Sequence, residues 1–274
     1  MQDSGHTFQS PLAVAAEAAR RVGNHHALLL TDFDGTLADL APTPDLAFVE
    51  TGVQAVLEAV AAHPAITLGV VSGRRLEDVS ARVSHVAEFV AGLHGLEIDG
   101  HGLTFHHGVL ESVAPIIERV DREARRLLDW CPGCLIENKE FALTCHVRQA
   151  PPYLAELALE TFESLAEPYL ETRKLRLLIG AQAMELLPSV DWDKGRAVEW
   201  IRTRVSATFG YTVPVIYLGD DRTDEDAFTD LGAGDFAIGV GHRPHTHMID
   251  ARLEGPAAVG EFLGEVTRII GLQP

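Results

Sequence analysis

The 274-residue chain carries 22 basic and 40 acidic residues, a formal charge of -18, with 46% hydrophobic and 23% charged residues. That balance weighs against a nucleic-acid polymer as partner, since such binding needs Lys and Arg to neutralise phosphates, but it leaves room for a small phosphorylated ligand beside a metal and a few local cations. No apolar run approaches the ~20 residues that cross a bilayer, and the polar stretch 1–10 lacks the basic-then-apolar order of a secretory leader, so a cytoplasmic location is expected.

Residues 11–22 read as an Ala-rich helix, and 27–31 as a short apolar run ending in acids, the pattern of a buried parallel strand. Val49, Val53, Leu57 and Val60 recur at helical spacing. Residues 66–71 form a second buried strand, Leu76, Val79 and Val83 mark the next helix, and 88–93 reads as a third strand. Such alternation predicts a parallel sheet covered on both faces. From 111 to 187 the rhythm changes to helix, two strands (134–138 and 141–147), helix (152–167) and a second hairpin (176–179 and 183–187) turning at Gly180-Ala181. After Asp193 the first rhythm returns with a helix bearing Val198, Ile201 and Val205, a strand over 213–218, and a further helix with Thr223 as its expected N-cap. The fold class is α/β: a Rossmann-like parallel-sheet core over 1–110 and 188–274, interrupted at 111–187 by an α+β insert of order αββαββ.

Ligands of open α/β sheets bind beyond the carboxyl ends of the strands. Asp32 and Asp34 end the first strand, Ser72-Gly73 the second and Asp220-Asp221 the last, while Lys194 opens the helix after the insert. Each piece alone is ordinary turn or cap chemistry. Arriving together at one sheet edge, they suit phosphoryl transfer. One of the two acids can attack phosphorus while the other manages protons, and oxygen ligands from Asp32 and Asp220 suit Mg²⁺. Gly35 allows a sharp turn that brings N–H groups toward a phosphate, Ser72 and the Gly73 N–H can donate to phosphoryl oxygens, and Lys194 can neutralise charge on them.

The segments Asp32-Phe33-Asp34-Gly35-Thr36-Leu37, Val71-Ser72-Gly73-Arg74, Lys194, and Gly219-Asp220-Asp221 with Asp224 resemble the four motifs of the haloacid dehalogenase superfamily. Within it, the chain resembles the trehalose-6-phosphate phosphatases at Gly92-Leu93-His94-Gly95-Leu96-Glu97, at Glu137-Asn138-Lys139 followed by His146-Val147-Arg148, and at Val190-Asp191-Trp192-Asp193-Lys194-Gly195. The resemblance implies Asp32 as nucleophile, Asp34 as acid and then base, and Mg²⁺ on Asp32, the Asp34 carbonyl and Asp220. It also implies Asp221 and Asp224 as groups that orient Lys194 or metal waters. The insert then acts as a cap that recognises sugar, with Glu137, Lys139, His146, Arg148 and Glu185 as its polar candidates. Two departures from the family pattern are Leu187 before Pro188, where a basic residue is common, and Asp193 before Lys194, where Asn is common.

The expected substrate is a small sugar phosphate, with no nucleic-acid, membrane or obligatory protein partner. Sucrose phosphate and glucosylglycerol phosphate stay open as alternatives to trehalose 6-phosphate, as does a non-catalytic sugar-phosphate sensor, which would have no need of Asp34. Cys131-Pro132-Gly133-Cys134 lacks the second pair of a zinc site and reads as a turn, and His242, His245 and His247 lack companion acids or thiols and read as loop residues.

Overall fold

Ser10 starts the first helix by accepting the Ala13 N–H on its side chain, with Pro11 at the first helical position, where a missing N–H costs nothing. The computed structural model describes residues 7–180, 182–243 and 249–270. In chain order these form α1 (Pro11–Val22), β1 (Ala27–Thr31), α2 (Thr51–Ala61), β2 (Ile66–Val71), α3 (Leu76–Val83), β3 (Phe89–Gly92), β4 (Glu97–Gly100) and β5 (Leu103–His106). Next come α4 (Leu110–Leu128), β6 (Leu135–Asn138), β7 (Leu143–His146), α5 (Pro152–Glu171), β8 (Leu175–Ile179) and β9 (Ala183–Pro188). The chain continues with α6 (Lys194–Phe209), β10 (Val215–Gly219), α7 (Asp224–Asp230), β11 (Phe236–Val240), β12 (Ala251–Leu253) and α8 (Pro256–Ile270). Two units result, Met1–Phe105 with Trp192–Pro274, and His106–Asp191.

The larger unit is built on a sheet of order β12-β11-β10-β1-β2-β3-β4-β5. The strands from β12 to β3 are parallel, and β4 joins β3 antiparallel. Strand β1 is buried at every position, so successive residues must feed opposite cores. Leu29 packs with α1, α2, α3 and α8 on one face, and Leu28 and Leu30 pack with α6 and α7 on the other. Each such leucine contributes about 1.5–3 kcal/mol through burial. The chain leaves β1 to one side through β2 and β3, and later returns to its other side as β10, so the strand order reverses between β1 and β10. That reversal point is where an open α/β sheet forms its ligand crevice.

The smaller unit has a four-stranded antiparallel sheet of order β6-β7-β9-β8. Ile136, Leu143, Cys145, Met184 and Leu186 of the sheet pack with Val113, Ile117 and Val120 of α4 and Ala158 and Phe162 of α5. Alternation therefore turns Glu137, Thr144, His146 and Glu185 to the other face. Helix α5 runs one turn beyond the expected end at 167, passing through Pro168, whose carbonyl accepts from the Thr172 hydroxyl at 2.9 Å. Ala181 of the expected Gly180-Ala181 turn lies outside the described residues, as do His245 and His247. His242 is described and meets Phe8 edge-on, their ring centroids 4.8 Å apart.

Two expectations change. The hairpin β4–β5 extends the core sheet where no strand was anticipated. Thr223 does precede α7 but has helical dihedrals and makes no side-chain cap bond. The Asp224 carboxylate instead accepts the Asp221 N–H at 2.9 Å.

Candidate active site

Strand β1 delivers Asp32, whose N–H still donates to Leu218 of β10 at 2.8 Å, so the backbone at the sheet edge is held by the neighbouring strand. Its side chain is almost wholly buried, with Oδ1 lying 2.9 Å from the Lys194 ammonium. Lys194 is the first residue of α6, a helix capped by Asp193, whose carboxylate accepts the Arg196 N–H at 2.9 Å. The family's common Asn at 193 is thus replaced by another good N-cap. The ammonium is also 2.7 Å from Asp224 Oδ1, which accepts the Tyr217 hydroxyl at 2.7 Å.

Asp220 follows β10 and completes a cluster in which Asp32, Asp220 and Asp224 offer oxygens within 4.8 Å of one another. Gly35 has φ +82° and faces Asp220 so closely that a Cβ would lie 2.2 Å from Oδ2. Only glycine fits there without displacing the carboxylate. The Gly35 N–H donates to the Ala38 carbonyl at 2.7 Å, which closes the turn. Among the described residues, nothing accepts from the N–H groups of Phe33, Asp34 and Thr36 or donates to the Asp34 carbonyl. The Thr36 hydroxyl reaches Asp220 Oδ1 at 3.3 Å.

Asp34 points elsewhere. Arg74 grips its carboxylate with two bonds, Nε to Oδ2 at 2.6 Å and Nη2 to Oδ1 at 2.7 Å, while Asp78 and the Pro44 carbonyl hold the same guanidinium. Ser72 is buried just past β2, and its Oγ accepts the Arg74 N–H at 3.2 Å, which leaves the hydroxyl proton free to donate. Gly73 is close-packed, since a Cβ there would meet the His94 ring at 2.6 Å.

Burial raises the Asp32 carboxyl to about 7, with Lys194 opposing the rise and Asp224 adding to it. Burial, followed by repulsion from Asp32 and Asp224, raises Asp220 to about 8. Burial disfavours the Lys194 ammonium, but Asp224 and Asp32 outweigh it and hold the amine above its ordinary value. Once ionised, three carboxylates against one ammonium leave an excess of negative charge that a divalent cation would neutralise. The donors suit such an ion. Asp32 and Asp220 each keep an oxygen without a hydrogen bond, whereas both oxygens of Asp224 are engaged by Lys194, Tyr217 and the Asp221 N–H.

Asp221, expected beside Lys194 or metal waters, turns its side chain outward to an ion pair with Arg243. In the smaller unit, Lys139 Nζ lies 2.6 Å from Glu185 Oε1, which also accepts the Thr144 hydroxyl at 3.1 Å. His146 Nε2 lies 2.7 Å from Glu137 Oε2. Arg148 is exposed and donates to Gln182 at 3.1 Å. Leu187, the other departure from the family pattern, is buried.

Sequence reasoning assigned no task to Arg74, Tyr217 or Thr36. For Tyr217 a signal existed, namely a lone hydroxyl in the otherwise apolar strand β10.

A reversed α/β sheet with acids at the ends of β1 and β10 and a lysine opening α6 is the architecture of the haloacid dehalogenase-like fold. A haloacid dehalogenase-like hydrolase from Bacteroides thetaiotaomicron superposes with TM-score 0.60 at 16% identity, over 87% of this chain and 98% of that one. The C-terminal domain of Candida albicans trehalose-6-phosphate phosphatase superposes with TM-score 0.77 at 20% identity, over 95% and 99%. A model of the trehalose-phosphatase family matches residues 30–249. The trehalose-phosphate phosphatase of Mycobacterium ulcerans is 34% identical over 239 residues, 86% of this chain and 60% of the relative. The chain belongs to the trehalose-phosphatase family. It spans about 60% of the length of that mycobacterial relative. No helix among the described residues is long and apolar enough to cross a membrane.

Proposed function

We propose that the protein is a Mg²⁺-dependent phosphoric monoester hydrolase that converts trehalose 6-phosphate into trehalose and phosphate. The convergence of Asp32, Asp220 and Asp224 around Lys194 in a chain of this family carries the reading. Asp32 attacks phosphorus and becomes an aspartyl-phosphate. Asp34 protonates the departing sugar oxygen and then takes a proton from the hydrolytic water, an acid-then-base sequence available to one carboxyl group. Arg74 holds that carboxylate in its resting position. The N–H groups of Phe33 and Asp34, the Ser72 hydroxyl and the Lys194 ammonium stabilise charge on the phosphoryl oxygens. Asp32, the Asp34 carbonyl and Asp220 are the residues to hold Mg²⁺, which supplies charge neutralisation to the phosphate. Asp224 fixes Lys194. We place the reaction in the cytoplasm, where the three free thiols would stay reduced.

Asp32 and Asp220 have folded-state values near 7 and 8 against an ordinary 3.8. Between those limits the cation-free fold retains protons that the unfolded chain has released, so this pair's contribution to stability falls as pH rises. Mg²⁺ must displace the same protons and therefore binds more tightly at pH 8 than at pH 6. Thermal melts in chelator and in Mg²⁺ should show a larger stabilisation at pH 8. Equal shifts at the two pH values would remove Asp32 and Asp220 as ligands, and phosphate release persisting in chelator would end the metal-dependent reading.

We assign sugar recognition to the smaller unit, and to its linked set Glu137, Lys139, His146 and Glu185 ahead of exposed Arg148. Glu185→Gln keeps the shape and an acceptor for Thr144 but loses the charge facing Lys139. The expected result is a KM for trehalose 6-phosphate raised about tenfold, the effect of losing ~1.4 kcal/mol of binding. Kinetics on p-nitrophenyl phosphate, which has no sugar, should be unchanged, and a parallel loss on both esters would overturn the assignment. A phosphate-release panel including sucrose phosphate and glucosylglycerol phosphate decides the sugar.

A further inference from the structure

The smaller unit gathers three thiols that the proposed chemistry leaves unused. After α4 the chain turns, with the Cys131 N–H donating to Leu128, the Cys134 N–H donating to Cys131 at 3.2 Å, and Gly133 at φ +81°. This turn delivers Cys134 to the start of β6, where its Sγ lies 3.6 Å from Sγ of Cys145 in β7. Cys131 Sγ approaches the Leu154 carbonyl at 3.8 Å. All three thiols are free. Cys145 is wholly buried, whereas Cys134 is only partly buried and is the more open residue of the pair.

The β6–β7 ladder pairs Leu135 with His146 and Ile136 with Cys145, which puts Cys134 one residue before the ladder begins. It can therefore move without breaking strand pairing. A disulfide needs its sulfurs ~2.05 Å apart, so the two sulfurs must approach by roughly 1.5 Å, and the diagonal placement of Cys134 requires its backbone to move with it. We propose that Cys134 and Cys145 are a reversible oxidation site that closes to a disulfide on exposure to hydrogen peroxide.

The hydrogen bond from Cys145, and a smaller contribution from one with Cys131, lower the Cys134 thiol against the effect of burial, while the Cys134 bond, with burial, raises Cys145. Cys134 is accordingly the thiolate that attacks. Its sulfur takes one peroxide oxygen as a sulfenic acid, and the other oxygen leaves as hydroxide and is protonated to water. The Cys145 sulfur then attacks the Cys134 sulfur, its proton passes to the departing hydroxyl, and a second water leaves. Two thiols lose two electrons and one peroxide becomes two waters. Cys145 lies between Thr144 and His146, which bond Glu185 and Glu137, so closure acts on the strand that carries the polar face.

The test is a thiol titration in denaturant before and after peroxide, with non-reducing peptide mapping of the wild-type chain. The expected result is that three titratable thiols fall to one, that dithiothreitol restores them, and that the map joins Cys134 to Cys145. Cys131→Ser should still lose its remaining pair, and Cys145→Ser should form no intramolecular link. A map joining Cys131 to Cys134, a link between two copies, loss that dithiothreitol does not reverse, or an unchanged count would each overturn the proposal. The readout is thiol chemistry alone and stands whatever ester the protein hydrolyses.

Discussion

Asp32→Asn is expected to lower turnover of trehalose 6-phosphate on the order of 10⁴-fold or more, the scale seen when a covalent nucleophile is removed. The substitution keeps size and shape at a buried position, so the loss is chemical: an amide oxygen cannot carry the phosphoryl group on to water. Binding should survive, because the phosphate cradle of amides, Ser72 and Lys194 is untouched and one negative charge facing the ester is gone. The fold should survive as well. Asp32 is held near 7 because its ionisation in place is unfavourable, and it adds to the rise of Asp220. Replacing it with a neutral group relieves Asp220, so melting in chelator at pH 8 should be unchanged or raised, even though Lys194 keeps only Asp224. Phosphate release by stopped-flow, ester affinity by calorimetry and the melt separate these effects. Release at the wild-type rate would sink the nucleophile assignment, and a collapsed melt would mean that the carboxylate serves the fold.

The sequence exposed the elements that are buried on two faces. Ala27–Thr31 and Ile66–Val71 read as strands because both faces are covered and the apolar run is unbroken. The hairpin β4–β5 left no such trace. Glu97–Gly100 and Leu103–His106 are partly or fully exposed at most positions and carry polar residues and glycine, so neither periodicity develops. At the site, strand ends disclosed which acids reach the crevice but not what they touch. Adjacent Asp220 and Asp221 look equivalent in sequence. The start of α7 separates them, since the Asp221 N–H caps onto Asp224 while its side chain turns out to Arg243. Asp32 and Asp34 are two residues apart, yet β1 ends at Thr31 and Arg74 grips the Asp34 carboxylate with two bonds while Asp32 meets Lys194. Partners that arrive from distant sequence, such as Lys139 with Glu185, depend on sheet register, which spacing alone does not supply.

Removing the one ammonium from among the buried acids should have the largest effect on stability. Lys194→Met preserves length and apolar packing but leaves Asp32, Asp220 and Asp224 without their fixed cation. Breaking a buried ion pair from one side costs about 3–5 kcal/mol, because the charge left behind is uncompensated. At ~2–4 °C per kcal/mol for a domain of this size, melting should fall by roughly 10 °C. The sign with pH follows from the direction of the shift. An amine held above its unfolded value of 10.5 stays charged throughout the neutral range, so its own titration adds no pH dependence there. Without it, the carboxylates must keep their protons to higher pH, so the deficit against wild type should grow from pH 6 to pH 8 in chelator. Turnover should drop by ~10³-fold even in saturating Mg²⁺, since the lost charge stabilised the phosphoryl oxygens in the transition state. Paired melts at the two pH values and phosphate release decide it. A variant with wild-type melting at both would show that Lys194 does not balance the acidic cluster, and one with wild-type turnover would show that it plays no part in the chemistry.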